Sequence, residues 1–251
     1  MNPSSSPIER VVARVTGRQD AAEHHVTIPV GDVMLQGTLG LPTDADGIVL
    51  FAHGSGSSRH SQRNRYVASV LREAGLATLL FDLLTEDEEA AEAATAHLRF
   101  DIPLLADRLI GASMWVFLQP GTANCRLGFF GASTGGGAAL LAAATHPDLV
   151  HAVVSRGGRP DLAGAALAQV RAPTLLLVGE RDGPVVQMNR AAAARLRATC
   201  SLVIIPGATH LFEEPGALDE VTVLARTWFV RHLTQTDEAS GAPSGRDEPV
   251  R

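Results

Sequence analysis

Lysine is absent: all 21 basic residues of this 251-residue chain are arginine. That excludes catalysis through a lysine Schiff base, a lysine-anchored pyridoxal phosphate, or a phosphate loop closed by lysine. Positive charge is also outnumbered, with 27 acidic residues, a net charge of −6 and a pI near 5.8. A nucleic-acid-binding surface, which needs a basic face, is therefore not expected. Cysteine occurs only at Cys125 and Cys200, far apart and each opening an apolar run. Such cysteines read as small buried apolar side chains in a reduced protein, not as a disulfide scaffold. No apolar run is long and unbroken enough to cross a bilayer. Residues 1–22 carry Pro, Ser and Arg without the apolar core of a signal peptide. The expectation is a soluble cytoplasmic protein with no membrane or nucleic-acid partner.

Apolar residues are plentiful, 45% of the chain, enough for a sizeable core and for one α/β domain. Alternating segments at 25–30 and 33–41, joined by Gly31-Asp32, predict a hairpin. Short apolar runs then predict strands at 48–52, 76–81, 126–130, 151–155, 174–178 and 202–205. Helical spacing predicts helices at 63–74, 86–118 (broken near Pro103), 135–145, 162–170, 185–198 and 217–233. About eight strands alternating with helices imply a mostly parallel sheet covered on both faces. Residues 23–234 read as one domain, between a flexible segment at 1–22 and a polar, Gly/Pro-rich, disordered tail at 235–251.

The densest signal lies at 127–140. Apolar residues lead into Gly131-Ala132-Ser133-Thr134-Gly135, and a small-residue helix follows. Strand, tight turn and helix with serine at the corner describe a nucleophile elbow, whose strained backbone needs glycine two residues before and two after. The helix behind it directs its positive end at developing negative charge.

Parallel sheets carry functional groups on the loops after strand carboxyl ends. After the strand at 174–178 comes Gly179-Glu180-Arg181-Asp182, and after 202–205 comes Gly207-Ala208-Thr209-His210. Ser133, Asp182 and His210 thus fall in the order of a hydrolase triad. His210 would take the Ser133 proton, and Asp182 would orient the imidazole and stabilise its charged form. Glu180 is a rival acid, and Asp182 has the alternative role of capping the next helix. The remaining need is an oxyanion hole. The Thr134 N–H is one expected donor; the other is the Ser55 N–H, or that of Gly56, in the small-residue loop His53-Gly54-Ser55-Gly56. His53 reads as bracing this loop or touching substrate. His53 and His60 lack companions at metal-ligand spacing, so no metal and no other cofactor is expected. Arg59, Arg63, Arg156 and Arg159 fall at the predicted rim. They suit either an anionic substrate or structural pairing with Asp161, Glu180 or other acids, the second being favoured.

Taken together, His53-Gly54-Ser55-Gly56, Gly131-Ala132-Ser133-Thr134-Gly135, Gly179-Glu180-Arg181-Asp182 and Gly207-Ala208-Thr209-His210 resemble the α/β-hydrolase superfamily. Over residues 25–233 the chain is similar to its dienelactone-hydrolase-like group of small bacterial hydrolases. The resemblance implies an α/β-hydrolase fold. Only residues 156–172 separate the sixth and seventh strands, leaving no room for a large cap domain. The namesake enzymes use cysteine as nucleophile; Ser133 points instead to a serine carboxylesterase acting on small or short acyl esters, including lactones. The same triad serves thioesterases and acyltransferases, and the scaffold also serves non-catalytic binding or regulatory proteins. A small ester is the expected partner, with the protein a monomer or homodimer.

Overall fold

The computed structural model describes residues 22–95 and 97–234. Apart from Ala22, the segments expected to be flexible lie outside the described residues. Eight strands form one sheet: β1 (Glu23–Val30), β2 (Val33–Gly40), β3 (Gly47–Ala52), β4 (Ala77–Phe81), β5 (Arg126–Ala132), β6 (Val150–Arg156), β7 (Thr174–Gly179) and β8 (Cys200–Ile205). Their order is β1-β2-β4-β3-β5-β6-β7-β8. Only β2 runs against its neighbours; β3 to β8 are parallel to one another. Pro29 is tolerated in β1 because β1 is an edge strand paired on one side.

Six α-helices lie among the described residues: α1 (Gln62–Glu73), α2 (Glu86–Thr95), α3 (Ile102–Val116), α4 (Thr134–Thr145), α5 (Gly183–Ala193) and α6 (Ala217–Leu233). Alternation along each strand splits the core between the two faces. Leu50, Phe129 and Val153 face α3 and α4, whereas Phe51, Phe130 and Val154 face α1 and α6. A side chain on Gly128 would come within 2.8 Å of Phe229 and of Leu233, so glycine lets α6 lie close on β5. Fully burying each core phenylalanine contributes about 1.5–3 kcal/mol.

The helix expected over 86–118 is three pieces. After α2, a 3-10 turn spans Leu98–Phe100, and Asp101 caps α3 through a bond from the Leu104 N–H (3.1 Å) just before Pro103. The helix expected at 162–170 is a 3-10 segment, Pro160–Gln169, bent at Gly164, whose φ of 54° breaks the helical ladder. The helix expected to run to 198 ends at Ala193. Both cysteines are free, and burial raises the Cys125 thiol to about 11, which suits an inert packing residue. Among the described residues, no helix is long and apolar enough to cross a membrane.

Candidate active site

Ser133 stands between β5 and α4 with φ 51° and ψ −121°, a conformation rare for any residue with a side chain. Its surroundings over-determine it. The Ser133 N–H donates to the Arg156 carbonyl (3.2 Å), and its own carbonyl accepts from the N–H groups of Gly136 and Arg159 (both 3.0 Å). The flanking glycines are forced by contact: a Cβ on Gly131 would lie 2.5 Å from the Gly135 oxygen, and one on Gly135 only 2.1 Å from the Ala52 oxygen. From the other side, a Cβ on Gly54 would meet the Ser133 Cβ at 3.0 Å.

The ends of β7 and β8 bring the next two groups together. His210 Nδ1 lies 2.6 Å from Asp182 Oδ2, the histidine partly exposed and the carboxylate largely covered. Asp182 occupies the N-cap position of α5, yet its side chain makes no capping bond. Glu180, the rival acid, accepts instead from the Gly207 N–H (2.8 Å) and braces the histidine loop from below. That loop is also tied by the Arg181 N–H to the Ala208 carbonyl (2.9 Å). Phe212 sits beneath the loop at φ 56°, buried, and Gly157 packs against both it and His210. Gly157 directly follows Arg156, whose carbonyl holds Ser133, so one turn of chain after β6 links serine and histidine.

In the loop after β3, His53 Nε2 accepts from the Leu83 N–H (3.1 Å), which leaves Nδ1–H to donate to the Gly54 carbonyl (3.0 Å). The ring is buried and both nitrogens are occupied, so His53 holds the β3 loop to the chain after β4. The Ser55 N–H donates to the Thr134 hydroxyl (2.9 Å) and so points at the residue after Ser133. The Thr134 N–H belongs to the first turn of α4, where helix geometry gives backbone donors no intrahelical acceptor. Gly56, at φ 69°, faces open space.

The four rim arginines divide. Arg59 is tied to Asp82 through its backbone N–H (2.7 Å) and its guanidinium, Arg63 pairs with Glu213 (3.1 Å), and Arg159 grips Asp161 through two bonds (2.7 and 2.9 Å). For Arg59 and Arg159, expected as substrate contacts or as ion-pair partners, the structure gives the ion pairs. Arg156 has no acidic partner among the described residues and is buried. Among the described residues no three His, Cys, Asp or Glu side chains gather as a metal site.

Sequence reasoning missed several contributors. A narrow cleft of about 10 Å³ beside Ser55 and Thr134 is lined by Leu83, Leu84 and Leu105, together with Glu89 and Arg99. Asn189, fully buried, donates to the Gly158 carbonyl (2.9 Å) and so anchors the turn after β6. Its signal was present: an amide on the stripe Val185, Val186, Ala192 that α5 otherwise fills with apolar residues.

Comparison with known proteins matches residues 35–229 to the dienelactone hydrolase family. A dienelactone hydrolase from Anabaena variabilis is 60% identical in sequence, with a TM-score of 0.84, covering 86% of this chain and all of that one. Est1E from Butyrivibrio proteoclasticus shares the fold at 18% identity, with a TM-score of 0.69, over 82% of this chain and 98% of its own. Two Mycobacterium tuberculosis proteins named "Putative phosphoribosyl transferase" are 57% identical over 211 residues, 84% of this chain and 47% of theirs. The chain spans about half the length of these curated relatives.

Proposed function

The chain belongs to the dienelactone hydrolase family, and from that premise we propose that it is a serine hydrolase cleaving carboxylic esters with small or short acyl groups, lactones included. The observation that carries this reading is Ser133 held at φ 51° on a strand-to-helix corner while Asp182 and His210 meet at 2.6 Å on the neighbouring loops.

In this reading Ser133 Oγ attacks the ester carbonyl as His210 Nε2 takes its proton. Asp182, bonded to Nδ1, fixes the tautomer and balances the imidazolium. The tetrahedral oxyanion is held by the Thr134 N–H and the Ser55 N–H, the latter released when the Thr134 hydroxyl turns aside; each such donor supplies roughly 3–4 kcal/mol of transition-state stabilisation. His210 returns the proton to the leaving alcohol, and a water activated by His210 then cleaves the acyl-Ser133 ester to give the acid. The apolar wall of Leu83, Leu84 and Leu105 beside Ser55 and Thr134 supports a short acyl group, since the cleft there, about 10 Å³, leaves no room for a long one. Phosphoribosyl transfer is not our reading for this chain: the relatives bearing that name extend well beyond the matched part, and residues 35–229 match a hydrolase family.

A fluorophosphonate probe with intact-mass readout tests the proposal without a known substrate. Wild type should gain one phosphonyl adduct per chain, while Ser133→Ala and His210→Ala should gain none. A folded wild type that stays unlabelled would overturn the reading and favour a non-catalytic binding protein on this scaffold.

A further inference from the structure

Arg156 closes β6, and strand alternation turns its side chain to the face of Ala152 and Val154, which α1 and α6 cover. The residue is 8% exposed. Its Nε and Nη1 are buried with no hydrogen-bond partner among the described residues. The guanidinium lies 6.0 Å from the centre of the Phe212 ring, a contact that leaves those N–H groups unpaired. The charge that acts on it is another cation, Arg63, and burial together with that neighbour lowers Arg156 to about 10.

Arg63 repeats the pattern. Its Nε is also buried without a partner. Its outer nitrogen holds Glu213, a carboxylate 65% exposed, and pairs so open to solvent contribute little. The first turn of α1, where the helix dipole favours negative charge, contains no acid. Two guanidinium groups therefore share one corner, both with unpaired buried donors. Unpaired buried charge is costly, and an oxyanion seated between the two would supply both the acceptors and the countercharge.

We propose that Arg156 and Arg63 form a binding site for a small oxyanion, a carboxylate or phosphate group, beside the His210 loop. The site does not depend on the ester-cleaving reading, although it adjoins that machinery. The carbonyl of Arg156 holds the Ser133 N–H, and Phe212, under its guanidinium, lies two residues after His210. A bound anion would thus stiffen the histidine loop. The anion has two sources, an acidic group on the substrate or a free ion.

Inorganic phosphate and acetate are the probes, each titrated against chloride at matched ionic strength, with thermal unfolding and calorimetry as readouts. Wild type should bind at least one of the two saturably and melt higher. Arg63→Gln should weaken that binding at least tenfold, Arg156→Met should abolish it, and the exposed control Arg171→Gln should keep it. If Arg156→Met does not fold, Arg63→Gln carries the test alone. Indifference to both anions, or undiminished binding in Arg63→Gln, would overturn the site and leave ordered water as the partner of Arg156. Short nitrophenyl esters with and without a free carboxylate separate the sources. A tenfold rise in the KM ratio of acidic to neutral ester in Arg63→Gln assigns the site to substrate. An unchanged ratio, with ion binding still weakened, assigns it to a free ion.

Discussion

The carboxyl ends of β5 and β6 lie side by side, yet they treat their polar groups in opposite ways. At the end of β5 the backbone N–H and carbonyl of Ser133 are bonded, and the strained corner is packed so closely that a Cβ on Gly131 or Gly135 would lie within 3 Å of backbone atoms. At the end of β6 the backbone of Arg156 is equally well used, but its guanidinium is buried with two nitrogens unpaired. The first end is complete within the chain; at the second, Nε and Nη1 of Arg156 find no acceptor among the described residues. A closed polar network fixes geometry, whereas an open one creates a place for a ligand.

The comparison can be broken first at its Ser133 end, where the proposed chemistry lies. Asp182→Asn should preserve the 2.6 Å contact but present the wrong histidine tautomer, lowering kcat for a short ester on the order of 10⁴-fold with little change in KM. Steady-state kinetics check this, and a loss below tenfold would remove Asp182 from the machinery. Next, Gly135→Ala would drive a Cβ to 2.1 Å from the Ala52 oxygen, a backbone atom with nowhere to move. Urea unfolding should show a loss of about 3 kcal/mol. In contrast, Arg156→Met should be neutral or stabilising by about 1 kcal/mol in chloride buffer, because it removes an unpaired buried charge while keeping a long side chain over Phe212. A strong destabilisation there would mean that the guanidinium is already satisfied.

The smallest effect concerns the opposite end of β6. His151 is held below the ordinary histidine range, first by burial and then by the Arg126 charge. The unfolded chain therefore takes up this proton more readily than the folded one. Stability should fall as pH drops from 7 through the histidine range. His151→Gln should flatten that part of the curve, as read by chemical unfolding at pH 7 and pH 5.5.

Legibility in the sequence followed the same division. Alternation marked β1 and β2, short apolar runs marked the other strands, and helical spacing marked most helices, because those signals are local. Ser133, Asp182 and His210 were readable because a strand end and a glycine-bounded corner are written in consecutive residues. The bend at Gly164 was not readable: a run such as Ala163 to Leu167 suits an α-helix, yet the backbone turns to φ 54° at Gly164. The sorting of the arginines was equally hidden. Arg59 finds Asp82 across 23 positions and Arg63 finds Glu213 across 150, pairings that only the fold creates. The Ser55 bond to the Thr134 hydroxyl belongs to the same class, since it spans 79 positions.

The bonds from Ser133 to Arg156 and Arg159 have a bearing on how this protein comes apart. An amide held across two parallel strands exchanges its hydrogen only when those strands separate, and β5 and β6 are central in the sheet. Ser133 should therefore be among the last residues to open, while His210, on the loop after the edge strand β8, should open at lower cost. Early in denaturation Ser133 should persist in place after His210 has moved. Loss of activity would then precede loss of secondary structure, and it would reverse in full on dilution as long as the central strands stayed paired.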